Sequence, residues 1–319
     1  MKKHRLCLLG ATGFVGHHLV TRLAREGHQL RVLTRRRERS RDLLVFPTLE
    51  LIQTDVHYVS DLTEHFKGCD AVINLVGILH GEKAPEQGME AVHVELPRKV
   101  VEAARFNGIT RVLHMSALNA DPNGPSEYLR TKGRGEDLVH ESAREGMRVT
   151  SFRPSVIFGP GDHFFNRFSA LLRLSPIVPL ACPDARFAPV FAGDVAEAFA
   201  KSLDDKTSFG QRLELCGPRT LTLRELVRYT ARTAGLRRLV VGLGERASRL
   251  QARLLEFAPG KPFTRDNYLS MQVDSVCRSD GLQRLGITPI GIDAVVPAYL
   301  GAINKASYLS GLRGLGGRG

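Results

Sequence analysis

Residues 6–16 run Leu6-Cys7-Leu8-Leu9-Gly10-Ala11-Thr12-Gly13-Phe14-Val15-Gly16. An apolar run stops at a glycine, turns between Gly10 and Gly13, and restarts at Phe14. That is the pattern of a buried strand, a tight turn and a helix N-terminus. Gly10 permits the turn, Gly13 lets a pyrophosphate approach the backbone, and Gly16 lets the helix lie close to the strand. The helix then offers free N–H groups and a positive dipole end to phosphates. Thr12, Phe14 and Val15 share this turn and join the three glycines as candidate cofactor-binding residues. The spacing is Gly-x-x-Gly-x-x-Gly. A turn that needs glycine only for packing is the structural alternative, and the βα repeat that follows favours the nucleotide.

Outward from that stretch, Gly27 caps the first helix and Leu30–Thr34 predicts a second strand. Leu49–Gln53 predicts a third, Asp61–Lys67 a short helix, and Ala71–Val76 a fourth strand closed by Gly77. A helical region from about Gln87 to Phe106 has Pro97 as an expected kink. Strand Arg111–Met115, helix Glu127–Glu145 and strand Arg148–Phe152 follow. Near-continuous apolar strands alternating with helices mean an α/β fold with a doubly wound parallel sheet of the Rossmann type. After Arg153-Pro154 the prolines and glycines crowd together, as in Gly159-Pro160-Gly161, Pro176, Pro179 and Pro183, which predicts loops. Gly193–Leu203 predicts a helix returning to the sheet. Strands at Leu213–Cys216 and near Leu239–Val241, with a helix at Leu223–Thr233, predict a small mixed α/β C-terminal lobe. The division is therefore 1–158 for the nucleotide-binding domain with a return segment at 187–204, and 159–186 with 205–305 for the substrate lobe. The glycine-rich 306–319 reads as a disordered tail.

The chain is 319 residues long, 43% hydrophobic and 24% charged, with a net charge of +12. An excess of this size suits an acidic partner such as a polyphosphate cofactor or an anionic membrane surface. No basic motif interleaved with aromatics supports nucleic acid. The five cysteines, Cys7, Cys69, Cys182, Cys216 and Cys277, lie far apart with no Cys-x-x-Cys pair. That indicates neither a zinc site nor a disulfide framework, and predicts a reducing, cytoplasmic setting. His17 and His18 point to different helix faces, so no metal site is expected; His80 and His114 read as loop or core. The basic start Met1-Lys2-Lys3-His4-Arg5 imitates a signal peptide, but its apolar stretch runs straight into the glycine turn. No apolar run is long enough to span a membrane.

Tyr128-Leu129-Arg130-Thr131-Lys132 places a phenol and an ammonium four residues apart on one helix face. A nearby ammonium favours the phenolate, so Lys132 is expected to lower the Tyr128 pKa and make it an acid/base near neutrality. Lys132 can also hold ribose hydroxyls, and Ser116 can hydrogen-bond a reacting oxygen. A solvated surface pair is the alternative. At the end of the second strand, where a dinucleotide site has an acid, Thr34 stands before Arg35-Arg36-Arg37. Arg35 and Arg36 suit a 2′-phosphate, hence NADP(H).

Taken together, these features resemble the extended form of the short-chain dehydrogenase/reductase superfamily over most of the chain. The resemblance rests on the glycine turn, Asp55-Val56, Asn74-Leu-Val76-Gly77, Ser116, Tyr128 with Lys132, Arg153-Pro154-Ser155-Val-Ile-Phe-Gly-Pro160 and Phe187–Asp194. More closely, it is similar to the atypical branch containing the nucleotide-binding accessory subunit of mitochondrial complex I and its bacterial relatives. Ser116-Ala-Leu-Asn119, Lys132-Gly-Arg-Gly-Glu136 and Pro262-Phe-Thr-Arg-Asp-Asn267 carry that likeness, with Leu285–Pro289 and Val296–Leu300. It implies tight NADP(H) binding and association with quinone-linked systems. By position it implies Asp55 and Val56 at the adenine, Gly77 at the adenosine ribose, and Pro154 and Ser155 at the nicotinamide amide, with Val76 a further cofactor-binding residue. The gap from Ser116 to Tyr128 is shorter than in sugar-nucleotide epimerases, and Asn119 lies too near Ser116 to be the separate active-site asparagine.

Three functions follow from this reading. One is an NADP(H)-dependent oxidoreductase acting on a carbonyl or hydroxyl of a lipid-like quinone or isoprenoid, with Tyr128, Lys132 and Ser116 catalytic. A second is a non-catalytic NADPH-binding subunit of a respiratory or quinone-linked assembly. The third is a sugar-nucleotide epimerase in which Arg153 and Arg186 receive a diphosphate. A helix bearing Arg246, Arg249 and Arg253, opposed by Ala247, Leu250, Leu254 and Phe257, predicts either a core-and-water face or a peripheral hold on the inner face of a membrane.

Overall fold

A computed structural model of the chain describes residues 2–79, 88–258 and 261–301. His80, Gln87 and the tail at 306–319 lie outside these. In chain order the elements are β1 (Arg5–Leu9), α1 (Phe14–Arg25), β2 (Gln29–Thr34), β3 (Leu49–Gln53), α2 (Val59–Phe66), β4 (Ala71–Asn74), α3 (Leu96–Phe106), β5 (Arg111–Met115), α4 (Glu127–Glu141) and β6 (Arg148–Pro154). Then come β7 (Ile157–Phe158), α5 (Phe164–Leu174), β8 (Ile177–Leu180), β9 (Arg186–Phe187), β10 (Val190–Phe191), α6 (Ala192–Ser202) and β11 (Gln211–Leu215). Finally β12 (Leu221–Thr222), α7 (Leu223–Thr233), β13 (Leu239–Gly242), α8 (Glu245–Leu255), α9 (Arg265–Ser270) and α10 (Gly281–Arg284) precede a helix at 292–301.

The described residues fall into two compact units. The first takes the chain up to Pro154, with Ala192–Cys216 and Cys277–Thr288. Its seven strands run in the order β11-β6-β5-β4-β1-β2-β3, all parallel. The order reverses beside β1, the switch point at which such sheets bind ligands beyond their strand ends. β4 and β5 are buried along their whole length, so their residues show no alternation of apolar and exposed polar positions, and the polar Asn74, Arg111 and His114 among them are buried too. Cys7 and Leu9 face a core built with α2, α3 and α4. On the other face α1 packs against α6, and Phe152 of β6 stacks on Phe199 of α6 with centroids 3.9 Å apart. Asn74 ends β4 by accepting the Val76 N–H at 3.1 Å, so the strand stops short of the expected Val76. Pro97, expected to kink the helix, stands at the start of α3 directly after a π-helical turn at Ala91–Glu95, a local widening of the helix before the proline.

β11 belongs to this sheet, not to the C-terminal lobe expected to begin at 205. It pairs in parallel with β6, from Gln211 opposite Thr150 to Leu215 opposite Pro154. The 277–288 segment follows it, because the Glu214 carboxylate accepts the Arg278 and Ser279 N–H groups at 2.6 and 2.9 Å. Cys216 and Cys277 form a disulfide, against the expectation of none. The two lie 61 residues apart, so no local spacing announces them.

The second unit holds Ser155–Phe191, Gly217–Val276 and the residues from Pro289. It contains three two-stranded sheets: β7 with β10 and β8 with β13, both parallel, and β9 with β12, antiparallel. Where prolines predict loops at 159–186, the structure has α5, whose Phe165, Ser169 and Leu172 are buried one turn apart. The flanking prolines mask this helical period in the sequence. Phe158 and Phe165 pack with Leu226, Ile292, Val296 and Leu300. Among the described residues no helix is long and apolar enough to cross a membrane.

Candidate functional site

The turn after β1 is held by glycine where nothing else fits. Gly10 has φ +75°, and a Cβ there would lie 2.9 Å from the Leu75 carbonyl carbon and the Val76 nitrogen. A Cβ on Gly16 would run into the Ala11 backbone, so α1 lies directly on the turn. Gly13 caps α1 with no side-chain bond, and its N–H donates to the Gly10 carbonyl at 3.1 Å. The first-turn N–H groups of Phe14, Val15 and Gly16 have no acceptor inside the helix.

A cavity of about 690 Å³ opens at this turn, lined by Gly10, Thr12, Thr34, Arg35, Arg36, Arg39, Val56 and Val76. Helix N-terminus, apolar wall and guanidinium groups together fit a dinucleotide: phosphate at the turn, adenine near Val56, a further anion at the arginines. Arg39 is a lining residue that the sequence did not single out; its place five residues beyond β2 carries no spacing signal. Asp55 is not among the lining residues described, and its carboxylate accepts the His57 N–H at 3.0 Å.

Ser116 follows directly on β5, Tyr128 stands in the first turn of α4, and Lys132 stands one turn further on. The Ser126 hydroxyl caps α4, accepting the Leu129 N–H at 3.2 Å. Lys132 is buried, and its Nζ donates to the Met115 carbonyl at 2.9 Å. A Cβ on Gly77 would come within 3.2 Å of that same Nζ, so the glycine keeps the space before the ammonium open. Burial pushes the Lys132 pKa down to about 8, while Glu136 pulls it upward. The Ser116 hydroxyl is buried with no partner among the described residues. A polar group left so is costly unless something else satisfies it.

Tyr128 departs from the expected tuning. Its phenol is pushed up to about 12 by desolvation, opposite in direction to the lowering expected from a neighbouring ammonium. Its ring meets His93 edge-on with centroids 5.6 Å apart. His93 was not legible as a site residue, because it lies far from Tyr128 in sequence. Its Nε2 accepts the Ile78 N–H at 3.1 Å, and its Nδ1 stands 2.9 Å from the Thr131 hydroxyl. Burial first, then the Lys132 charge, push its pKa down to about 2, so it stays neutral.

Other expected residues are placed elsewhere. Pro154 ends β6, its carbonyl accepting the Leu118 N–H at 3.0 Å. The Ser155 hydroxyl, in the second unit, donates to the Ser275 carbonyl at 2.7 Å. Arg153 is not open to a diphosphate: its Nε and Nη2 grip the fully buried Glu136 carboxylate, Nε at 2.9 and 3.0 Å. On α8 only Ser248 and Ala252 are buried, and Leu250, Leu254 and Phe257, expected as one choice to face a core, are exposed. Small residues let the helix sit close: the Ser248 hydroxyl donates to Leu243 and accepts the Cys182 N–H.

The NAD dependent epimerase/dehydratase family matches residues 6–214. The chain is similar to a Neurospora crassa protein named NADH-ubiquinone oxidoreductase 40 kDa subunit, mitochondrial, 28% identical over 96% of this chain and 81% of that one. It is also similar to ceramide reductase of Caulobacter vibrioides, 32% identical over 60% of this chain and 58% of that one. In three dimensions it resembles an NADPH-dependent quinone oxidoreductase of Escherichia coli solved with NADPH, with a TM-score of 0.74 at 18% identity, covering 92% and 99% of the two chains. At that identity the likeness is one of fold.

Proposed function

The chain belongs to the NAD dependent epimerase/dehydratase family, and on that premise we propose that it is an NADP(H)-dependent oxidoreductase acting on a carbonyl or hydroxyl group of a lipid-like substrate of quinone or isoprenoid type. The observation that carries this is the buried Ser116 hydroxyl without a partner among the described residues, next in the chain to the Met115 carbonyl that takes the buried Lys132 ammonium, with Tyr128 one turn before Lys132 on the same face of α4. Arg35, Arg36 and Arg39 would hold a 2′-phosphate, and the α1 N-terminus the pyrophosphate. Lys132 would bind ribose hydroxyls. A bound nicotinamide supplies or accepts the hydride.

The protein's own part is to handle the proton and the oxygen. Ser116 donates a hydrogen bond to the substrate oxygen, and Tyr128 gives it a proton as the carbonyl becomes a hydroxyl. A phenol held protonated at neutral pH can donate this proton. Screening of NADPH oxidation against quinones, isoprenoid ketones and long-chain keto lipids tests the reading. Mass spectrometry of ligands released from freshly purified protein names the cofactor. Turnover of none of these classes counts against an enzyme.

The similarity to a protein named as a complex I subunit, over 96% of this chain, favours a second reading. In it the chain is a non-catalytic NADPH-binding subunit of a respiratory or quinone-linked assembly. Under both readings we place the protein in the cytoplasm, peripheral at the inner face of the membrane. The exposed apolar and basic side chains of α8 support that placement.

A further inference from the structure

The second unit contains a cavity of about 310 Å³ that the dinucleotide chemistry does not use. It lies between α5, β8 and α8, and Phe168, Leu171, Leu180, Leu255, Phe263 and Met271 form its walls. Arg167 is the charged residue among its lining, with its guanidinium donating to the Lys261 carbonyl at 3.2 Å. A volume near the lower end of the range for small-molecule sites suits one narrow apolar ligand rather than a ring system with many polar groups.

Its rim is apolar as well. Leu174 is 82% exposed and Ile177 54%. Ile177 stands opposite Leu239 in the β8–β13 ladder, and Leu239 is exposed too. Leu254 at the end of α8 and Phe257 just beyond it flank the cavity-lining Leu255 and reach solvent at 64% and 82%. Large exposed apolar side chains at and next to the lining of one cavity mark an interaction surface. Exposed arginines stand close to these residues in the chain: Arg173 beside Leu174, Arg237 just before β13, and Arg246, Arg249 and Arg253 along α8. Arg249 is tied to Glu245 at 2.7 Å, but Arg246 and Arg253 make no ion pair among the described residues. Apolar side chains flanked by cations complement an anionic bilayer, with the side chains among the lipids and the guanidinium groups at the phosphates.

We propose that this cavity holds one alkyl chain of a lipid drawn from an anionic membrane on which the rim of the second unit rests. The proposal deepens the lipid-like substrate reading above and rests on it. Arg167 and the neighbouring arginines receive the anionic head of the lipid, and the cavity measures the chain.

The test is calorimetric titration of the full chain with saturated fatty acids from hexanoate to tetradecanoate, with and without NADPH. Affinity should rise about fourfold per added methylene, the factor for burying one CH₂, and level off once the cavity is full. Leu171→Arg charges the wall, and Leu174→Glu sets a like charge at the mouth from a position already 82% exposed, where the cost to folding is small. Each should weaken binding by about tenfold or more and leave NADPH affinity unchanged. Flotation on phosphatidylglycerol vesicles checks the source: the wild type should float, and Leu254→Glu with Phe257→Glu should not, while still binding the free fatty acid. Binding that ignores chain length, or that both wall and mouth variants leave intact, overturns the cavity assignment. A wild type that binds free chains but never floats overturns the membrane source. Loss of NADPH binding in the wild type would instead overturn the cofactor reading, which the titration without NADPH keeps separate.

Discussion

The Lys132 ammonium donates to the Met115 carbonyl at 2.9 Å, one residue before Ser116, so the lysine is fastened to the very strand that presents the serine. The proton chemistry proposed for Tyr128, one turn earlier on α4, therefore depends on a lysine whose position is fixed by the sheet. Tyr128→Phe keeps the ring and its edge contact with His93 and removes only the proton. NADPH binding should persist while turnover falls roughly 10²–10⁴-fold. Lys132→Ala should reduce both. In a purely structural subunit, Tyr128→Phe changes neither cofactor affinity nor the partner complex. Full function in the cell with Tyr128→Phe would end the enzyme reading.

Arg35 lines the cavity beside Arg36 and Arg39, with Thr34 in place of an acid. Arg35→Ala should weaken NADPH by roughly 1.5–3 kcal/mol, the scale of a charged hydrogen bond, and leave NADH nearly untouched. Fluorescence titration with both cofactors measures this. Equal wild-type affinities for the two would dispose of the 2′-phosphate assignment.

Two buried imidazoles, His93 and His114, and the half-buried His140 set an acid limit on stability. Burial pushes His93 down to about 2, His140 to about 4 and His114 well below its ordinary value. In the unfolded chain each regains a pKa of roughly 6.5. As pH falls below that value the unfolded chain binds protons that the folded one refuses, so stability drops. Above it these groups contribute no slope. The loss should approach about 1.4 kcal/mol per pH unit for each histidine, down to about pH 4 for His140 and further for His93. Urea unfolding at neutral and mildly acidic pH checks it, and His93→Gln should flatten the dependence.

Gly16→Ala tests the packing of α1 on the turn. The new methyl meets Ala11 backbone, which cannot rotate away as a side chain would. Destabilisation of about 1–3 kcal/mol is expected, with weaker NADPH binding because the helix N-terminus shifts. An unchanged urea midpoint would mean that α1 moves freely.

The sheet and the cofactor end of the site were legible because their signals are local. The strand, turn and helix start occupy one continuous stretch, and Tyr128 and Lys132 announce each other by helical spacing. What escaped was decided by distance. His93 reaches Tyr128 from another helix, Glu136 takes Arg153 from across α4 and β6, and Cys216 meets Cys277 after 61 residues. The amphipathic pattern of α8 was visible, but which face the protein buries was not. That depended on Ser248 and Ala252 being small enough to sit against 182 and 243, leaving the larger residues outside. Tyr128 shows a related limit: spacing revealed its ammonium neighbour, while desolvation, a property of everything around it, set the direction of its pKa.

The chain leaves the sheet-bearing unit after Cys216 and re-enters it at Cys277, and the disulfide joins these two points. Residues 216–277 are thus a covalent ring threaded into the sequence. A single proteolytic cut anywhere inside it leaves one molecule on a non-reducing gel and two fragments on a reducing one. Closing a ring of that size restricts the unfolded chain by roughly 4 kcal/mol in the loop-entropy account. Cys7, Cys69 and Cys182 stay as thiols, so thiol counting before and after denaturation tells the closed ring from the open one. In a reducing cytosol the ring opens, and in an oxidising compartment it stays shut. The state of this one bond in protein taken directly from cells therefore records the redox surroundings in which the molecule works.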